Sequence, residues 1–463
     1  MFDAAHWTDM LVAPQNHQRL ESMMFRAVRV GQAVVRRVLA GQEGNDTRSG
    51  NVAAEIDDQV PQVVFFLQAD RAVGQEHERS VARESADGVV RVNPRVHARR
   101  RLELRPRRPQ LRRDDSRGRL QFFNQFAADH TNPSYTSVSV PAHRAVIGKL
   151  EKIPRLPLAL TPTPIEELAR LREALGSAPS LFVKRDDAIP LGFGGNKIRK
   201  LHVVAAQALA DGADTLITTG GVQSNHARAT ASIAARLGLQ SVLIANGKPQ
   251  DKPTANALLD RLLGADVRYV SSREERAPAM QAAAEELRAR GRKPFIIPLG
   301  ASTAHGAAAY ALAMGELLDQ MSAPDAIVLS TSSGGTHAGI LAGCVLHGLP
   351  TRVIGISADD PAPAIAGEIR RILADLEKLL EAPGVFAGAP IEIDDTFVGA
   401  GYGVATAEST EAIELCARRE ALFLDPTYTA KAMAALIAKV RRRDLPVDRV
   451  LFWHTGGQVG LFA

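Results

Sequence analysis

From about residue 180 to the C-terminus, short β-rich runs alternate with amphipathic helices, and this rhythm constrains the fold more than any other feature. SLFVKR is followed by NKIRKLHVVAAQALADG, TLITTG by HARATASIAARLG, QSVLIAN by TANALLDRLLG, and then comes DVRYV. Repeated strand-helix units predict a parallel sheet covered on both faces. The rhythm returns later as AIVLSTSSGG with a helix, TRVIGISA and VLFWHTGG, so the expectation is an α/β protein with two sheet-containing lobes. Ahead of the rhythm, IPRLPLALTPTPIEELARL reads as an extended lead-in and a helix opened by Thr163, with Pro164 at its first position and Glu166 completing a capping box.

The first 148 residues have a different texture, with 22 arginines, no lysine and stretches such as RRRLELRPRRPQLRRDD at 99–115. No helical or alternating period runs through them, so residues 1–143 are read as an Arg-rich extension without regular order, or as sequence outside the working protein. Between Met24 and Met280 there is no methionine, so a start near Val146 would require a non-ATG codon. The formal charge of +5 belongs to this end: residues 1–150 carry 23 Lys+Arg against 17 Asp+Glu, leaving 33 against 34 for the rest. A basic arm for nucleic acid is the competing reading, but the arginines lack interleaved aromatics and are mixed with acids, so no nucleic-acid partner is expected. Two distant cysteines, Cys344 and Cys416, build no disulfide framework or metal site, and no apolar run is long enough to span a bilayer. A cytoplasmic protein with no metal and no membrane partner is therefore expected.

Four polar, glycine-bearing clusters fall where predicted strands stop, which is where open α/β sheets bind ligands. GFGGNKIRK at 192–200 delivers Asn196 and Lys197 at a helix start, without the Ser or Thr a Walker loop needs after its lysine. TTGGVQSNHARA at 218–229 offers Gln223, Ser224, Asn225 and His226 at another helix start, where exposed N–H groups favour an anion such as a carboxylate. STSSGGTHAGI at 330–340 sets Ser333, Gly334, Gly335 and Thr336 between a buried strand and a helix, the composition of a phosphate cradle. The last cluster joins Tyr402 in GAGYG and Tyr428 in DPTYTAKAM to Thr455 in VLFWHTGG. Each residue taken singly also suits a cap, a solvated lysine or a core tyrosine; the whole set does not.

The combination of KRDD at 184–187, FGGNKIRKL, GGVQSNHARATA, SSGGTHAG, GYG, LDPTYTAKAM and HTGG resembles the D-cysteine desulfhydrase and 1-aminocyclopropane-1-carboxylate (ACC) deaminase family. The resemblance implies a two-lobed, three-layer αβα protein of the tryptophan synthase β-like fold, a fold type II enzyme of pyridoxal 5'-phosphate. The catalytic region is placed at 144–463, with a large lobe at about 144–196 and 305–463 and a small lobe at about 197–304. Lys197 is implied to hold the cofactor covalently, Asn225 to bond its 3′-hydroxyl, Ser333 to Thr336 to hold its phosphate, and Thr455 to face its pyridine nitrogen. Gln223 and Ser224 are implied to meet the carboxylate of a small amino-acid substrate, and Tyr402 and Tyr428 to flank the reacting carbons. A homodimer is implied as well.

Family deaminases usually carry glutamate directly after the second tyrosine and glutamine after the Ser-Asn pair, where this chain has Thr429 and His226. The expected function is therefore a carbon-sulfur lyase, D-cysteine desulfhydrase, releasing pyruvate, ammonia and hydrogen sulfide. Deamination of ACC and sulfo-lyase action on L-cysteate are the alternatives on the same fold. A glutamate at position 429 is expected to bring a carboxylate near the cofactor ring.

Overall fold

The computed structural model describes residues 140–176 and 179–463; the Arg-rich extension, apart from its last four residues, lies outside them. Two sheets organise the described chain. The larger has six strands in the order β1-β2-β10-β7-β8-β9: β1 (Ile165–Glu167), β2 (Ser180–Arg185), β7 (Ala326–Thr331), β8 (Arg352–Ser357), β9 (Glu392–Asp394) and β10 (Arg449–His454). Only β1 runs antiparallel to its neighbour. The smaller sheet is wholly parallel, in the order β5-β4-β3-β6: β3 (Thr215–Gly221), β4 (Gln240–Asn246), β5 (Asp266–Val270) and β6 (Pro294–Ile296).

The central strands are apolar at nearly every position because both of their faces are covered. In β10, Leu451 and Trp453 point into one core while Val450 and Phe452 point into the other, as a period of two requires. Ile327 and Leu329 of β7 join the first core, and Ala326 and Val328 the second. Helices α7 (Ala304–Gln320), α8 (Gly335–Leu346) and α9 (Ala362–Leu379) cover the first face, and α10 (Ala407–Glu420) and α11 (Thr429–Arg442) the second. Gly355 lets α8 approach β8, since a Cβ there would stand 2.4 Å from the His337 ring. Around the smaller sheet pack α3 (Asn196–Ala210), α4 (Asn225–Leu237), α5 (Ala255–Leu262) and α6 (Arg276–Ala289).

The chain before β2 differs from expectation. A helix, α1 (Val140–Glu151), precedes it and buries Val146 and Leu150 in the first core. No helix opens at Thr163. The segment pairs as β1 with Lys184 opposite Ile165, and a short helix, α2 (Ala169–Ala174), starts five residues after Pro164. The capping box fails because both of its ends are engaged elsewhere. The Thr163 hydroxyl donates to Asp186, its N–H donates to Glu316, and Glu166 pairs with Arg185.

Candidate active site

Lys197 stands in the first turn of α3, and that turn is held by the end of β10. Gly195, at φ 96°, has no room for a side chain, because a Cβ would lie 2.9 Å from the Thr455 carbonyl. That carbonyl accepts the Asn196 N–H at 2.9 Å, so two chain segments lock the lysine's position. Two residues further, Arg199 is buried in a charged network: Nη2 lies 2.7 Å from Asp186 and Nη1 2.7 Å from Glu316. The Asp186 carboxylate also accepts from Tyr310 (2.6 Å) and from Trp453 of β10 (2.8 Å). Burial alone would raise the Asp186 pKa, but the Arg199 charge and these hydrogen bonds outweigh it and hold it low. Removing one partner of such a pair typically costs about 3–5 kcal/mol, so the network fixes α3 rather than decorating it.

The four polar clusters converge on one cavity of about 340 Å³, lined by Asn196, Lys197, Ser224, Asn225, His226, Ser330 to Thr336, Tyr402, Tyr428 and Thr455 among others. Burial pushes the Lys197 amine down to about 8, opposed in part by a hydrogen bond with Lys200. Lys200 falls well below its ordinary value through burial and then the charge of Lys197. Its Nζ reaches the Ser302 hydroxyl at 3.4 Å, and Ser302 donates to Ser333 at 2.8 Å, so the lysine helix and the glycine turn share one hydrogen-bonded chain. Asn196 adds a second link, donating to the Thr336 hydroxyl at 3.0 Å.

Ser224 caps α4, accepting the Ala227 N–H at 3.2 Å, and owes its position to Gly220, where a Cβ would stand 2.3 Å from the serine oxygen. Asn225 accepts from Asn256 at 2.9 Å, which leaves its own amide N–H groups for the cavity. His226 sets Nε2 2.8 Å from the Thr218 hydroxyl; since that hydroxyl donates to the Ile297 carbonyl, the ring must be the donor. Burial, then the charges of Lys197 and Lys200, keep the His226 ring neutral. Tyr402 and Tyr428 place their hydroxyls 2.6 Å apart with rings edge to face. Burial raises the pKa of both hydroxyls, further for Tyr428, and so keeps them protonated.

Two expected positions depart from this gathering. Gln223 turns its amide away: Nε2 donates to the Thr254 carbonyl at 3.2 Å and Oε1 accepts the Asn256 N–H at 3.0 Å. It braces the start of α5 and is not among the residues that line the cavity. Thr429 is fully buried and trades hydrogen bonds with Asp425, its hydroxyl donating at 2.7 Å to the carboxylate and accepting the Asp425 N–H at 2.8 Å. In this chain the threonine at 429 is given wholly to Asp425 and does not line the cavity.

The sequence reading passed over Lys200, Ser302, Arg273 and Arg276. For Lys200 a signal existed: in NKIRK it follows Lys197 by three residues and so shares its helix face. For the arginines there was little, since SSREER after a strand reads as a solvated turn.

The residues present fit a phosphorylated aldehyde cofactor. A buried amine of depressed pKa suits a covalent carbonyl partner. The first turn of α8, whose Gly335 N–H donates to the Ser333 carbonyl, otherwise presents the N–H groups of a helix start, with Ser330 Oγ and Thr331 Oγ1 buried and unpartnered beside it. Residues 156–456 match the family described as Pyridoxal-phosphate dependent enzyme. The chain belongs to this family, and pyridoxal 5'-phosphate is its cofactor. It is 37% identical over 326 residues to a protein of Klebsiella pneumoniae (strain 342) named D-cysteine desulfhydrase, covering 68% of this chain and 98% of that protein. A protein of the same name from Salmonella schwarzengrund (strain CVM19633) is 37% identical over 324 residues, 68% of this chain and 97% of that one. Among solved structures, one described as an ACC deaminase homologue superposes with a TM-score of 0.64 at 34% identity, covering 69% of this chain and 96% of the other. A pyridoxal 5'-phosphate-dependent aspartate racemase, at TM-score 0.51 and 18% identity over 70% of this chain and 97% of its own, shares the fold alone. The family member at hand is thus an enzyme of the desulfhydrase and ACC deaminase type, with a fold type II architecture.

Proposed function

We propose that this enzyme converts D-cysteine and water to pyruvate, ammonia and hydrogen sulfide by α,β-elimination. The observation that carries the reading is the gathering, in one cavity, of a buried amine near neutrality and a hydrogen-bonded pair of protonated tyrosine hydroxyls. When bound, the cofactor withdraws electrons from the bonds of the substrate's α-carbon. In the proposal Lys197 holds it, Asn225 bonds its 3′-hydroxyl, the Ser333-Gly334-Gly335-Thr336 turn takes its phosphate, and Thr455 faces its ring nitrogen. The start of α4 with Ser224 receives the substrate's carboxylate, since N–H groups at a helix start favour an anion. The Lys197 amine, partly unprotonated close to pH 8, takes the α-proton. Tyr428, whose hydroxyl keeps its proton, stands ready to protonate the departing sulfur, with Tyr402 orienting it through the shared hydrogen bond.

Thiolate is a competent leaving group, whereas ring opening of a cyclopropane offers none at Cβ. Relatives named D-cysteine desulfhydrase support this choice, and the ACC deaminase homologue supports ring-opening deamination as the second reading. The proposal includes a homodimer in the cytoplasm, and a division into a large lobe at 144–196 and 305–463 and a small lobe at 197–304 that follows the two sheets. The test compares specificity constants of the holoenzyme. D-Cysteine should give sulfide and pyruvate in equal amounts, with far slower 2-oxobutanoate formation from ACC. A preference for the cyclopropane substrate would put the deaminase reading in its place.

A further inference from the structure

α5 buries polar side chains where a packed helix ordinarily buries apolar ones. Its fully buried residues are Asn256 and Asp260, about one turn apart, while its Leu262 is 69% exposed. Apolar burial therefore does not explain how its inner face is set; the partners of Asn256 do. Asn256 is 1% exposed, and its Nδ2 donates twice, to the Gln223 carbonyl at 3.0 Å and to the Asn225 side-chain oxygen at 2.9 Å. In return the Asn256 N–H donates to Gln223 Oε1 at 3.0 Å, and Gln223 Nε2 donates to the Thr254 carbonyl at 3.2 Å. The starts of α4 and α5 thus hold each other through a closed set of amide hydrogen bonds.

The backbone fixes the polarity of this set. A side-chain amide can turn end for end in the same space, so the hydrogen bonds around it decide which end points where. A backbone carbonyl accepts and never donates, so the Gln223 carbonyl requires Asn256 to turn its NH2 toward it. The same NH2 meets Asn225, which must answer with its oxygen. Asn225 is left with its own NH2 for the cavity it lines, and among the described residues that NH2 donates to no protein group. Turning Asn256 over would set its oxygen against the Gln223 carbonyl; as it stands, the oxygen is buried without a partner, a cost that the two donated bonds offset. We infer that Asn256 is a positioning residue: through Asn225 it makes this wall of the cavity a hydrogen-bond donor, which favours the cofactor's 3′-oxygen in its ionised form. This rests on the reading that Asn225 bonds that oxygen.

The absorption spectrum of the holoenzyme tests the inference without turnover, because lysine-held cofactor absorbs in the visible with its 3′-oxygen ionised and in the near ultraviolet with it neutral. Asn256→Leu keeps the volume and removes both donated bonds, which frees the Asn225 amide to turn. The ratio of visible to near-ultraviolet absorbance should fall about tenfold, and the affinity of cofactor-free protein for pyridoxal 5'-phosphate by a similar factor, the scale of one hydrogen bond to a charged group. Asn256→Ala adds no bulk and should do the same, which keeps the test open where the leucine variant fails to fold. In an Asn225→Ala background the Asn256 substitutions should change neither quantity further, since a residue that acts only through Asn225 has nothing left to position. The parent's spectrum in a folded Asn256 variant, or a shift as large in the Asn225→Ala background as in the parent, would overturn the inference. The parent's spectrum in Asn225→Ala itself would instead sink the 3′-oxygen reading on which the inference stands.

Discussion

Lys197 and Lys200 show how burial turns two ordinary lysines into distinct groups. Both lose hydration; one helical turn apart, Lys197 further disfavours the charge of Lys200, whereas the hydrogen bond with Lys200 offsets part of the effect of burial on Lys197. An amine titrating at about 8 is substantially unprotonated at mildly alkaline pH, whereas an ordinary lysine near 10.5 is not. Since only the neutral amine attacks an aldehyde, the rate at which cofactor-free protein captures pyridoxal 5'-phosphate should rise with pH and level off above about 8. Stopped-flow absorbance at several pH values reads this, and a midpoint close to 10.5 would remove the physical argument for Lys197. Thr429 carries the second prediction at this scale. Thr429→Glu places a carboxylate against Asp425 in a fully buried position, a like-charge contact costing on the order of several kcal/mol. The variant should lose thermal stability or cofactor rather than gain deaminase activity; a stable variant that opens the cyclopropane ring faster than the parent would show that position 429 does face the substrate.

Individual elements explain what the amino-acid sequence disclosed and what it hid. The strand-turn-helix junctions at 218–229 and 330–340 were legible because parallel strands buried on both faces read as unbroken apolar runs and stop close to glycines, and the one at 192–200 because its glycines directly precede a helix. Segment 163–167 misled because a local signal, Thr-Pro-x-Glu, competed with long-range partners that sequence does not display: Asp186, Glu316 and Arg185. The arginines at 273 and 276 were hidden for a related reason, since only the approach of the β5–α6 turn to the cavity separates a cavity-lining side chain from a solvated one. Lys431 of α11 is a third case. It reads as a surface lysine in TAKAM, yet it is buried and donates to the carbonyls of Val398 and Gly401, both at 2.8 Å. It thereby anchors the turn that presents Tyr402, so α11 sets the positions of both tyrosines. Lys431→Met keeps the apolar stem and removes the donors, and should lower kcat for D-cysteine by about tenfold or more, as misplacement of a reacting group by a fraction of an ångström does. An unchanged kcat with only KM affected would deny the turn this role.

At the level of the whole molecule, the two sheets matter because their strands end at a common cavity. The smaller sheet contributes the end of β3, the larger those of β7 and β10, and the hydrogen-bonded chain from Lys200 through Ser302 to Ser333 crosses between them. Neither sheet alone assembles a lysine, an anion cradle and a tyrosine pair, so the reading of the cavity as an elimination site depends on which buried amine meets the cofactor. Two candidates lie three residues apart, and geometry alone separates them: Lys197 lines the cavity, whereas Lys200 is turned to Ser302. The direct measurement is borohydride reduction of the holoenzyme followed by peptide mapping by mass spectrometry. The account predicts a single phosphopyridoxyl group on Lys197, absent in Lys197→Ala along with turnover of D-cysteine; modification of Lys200, or an unchanged adduct in that variant, would contradict it.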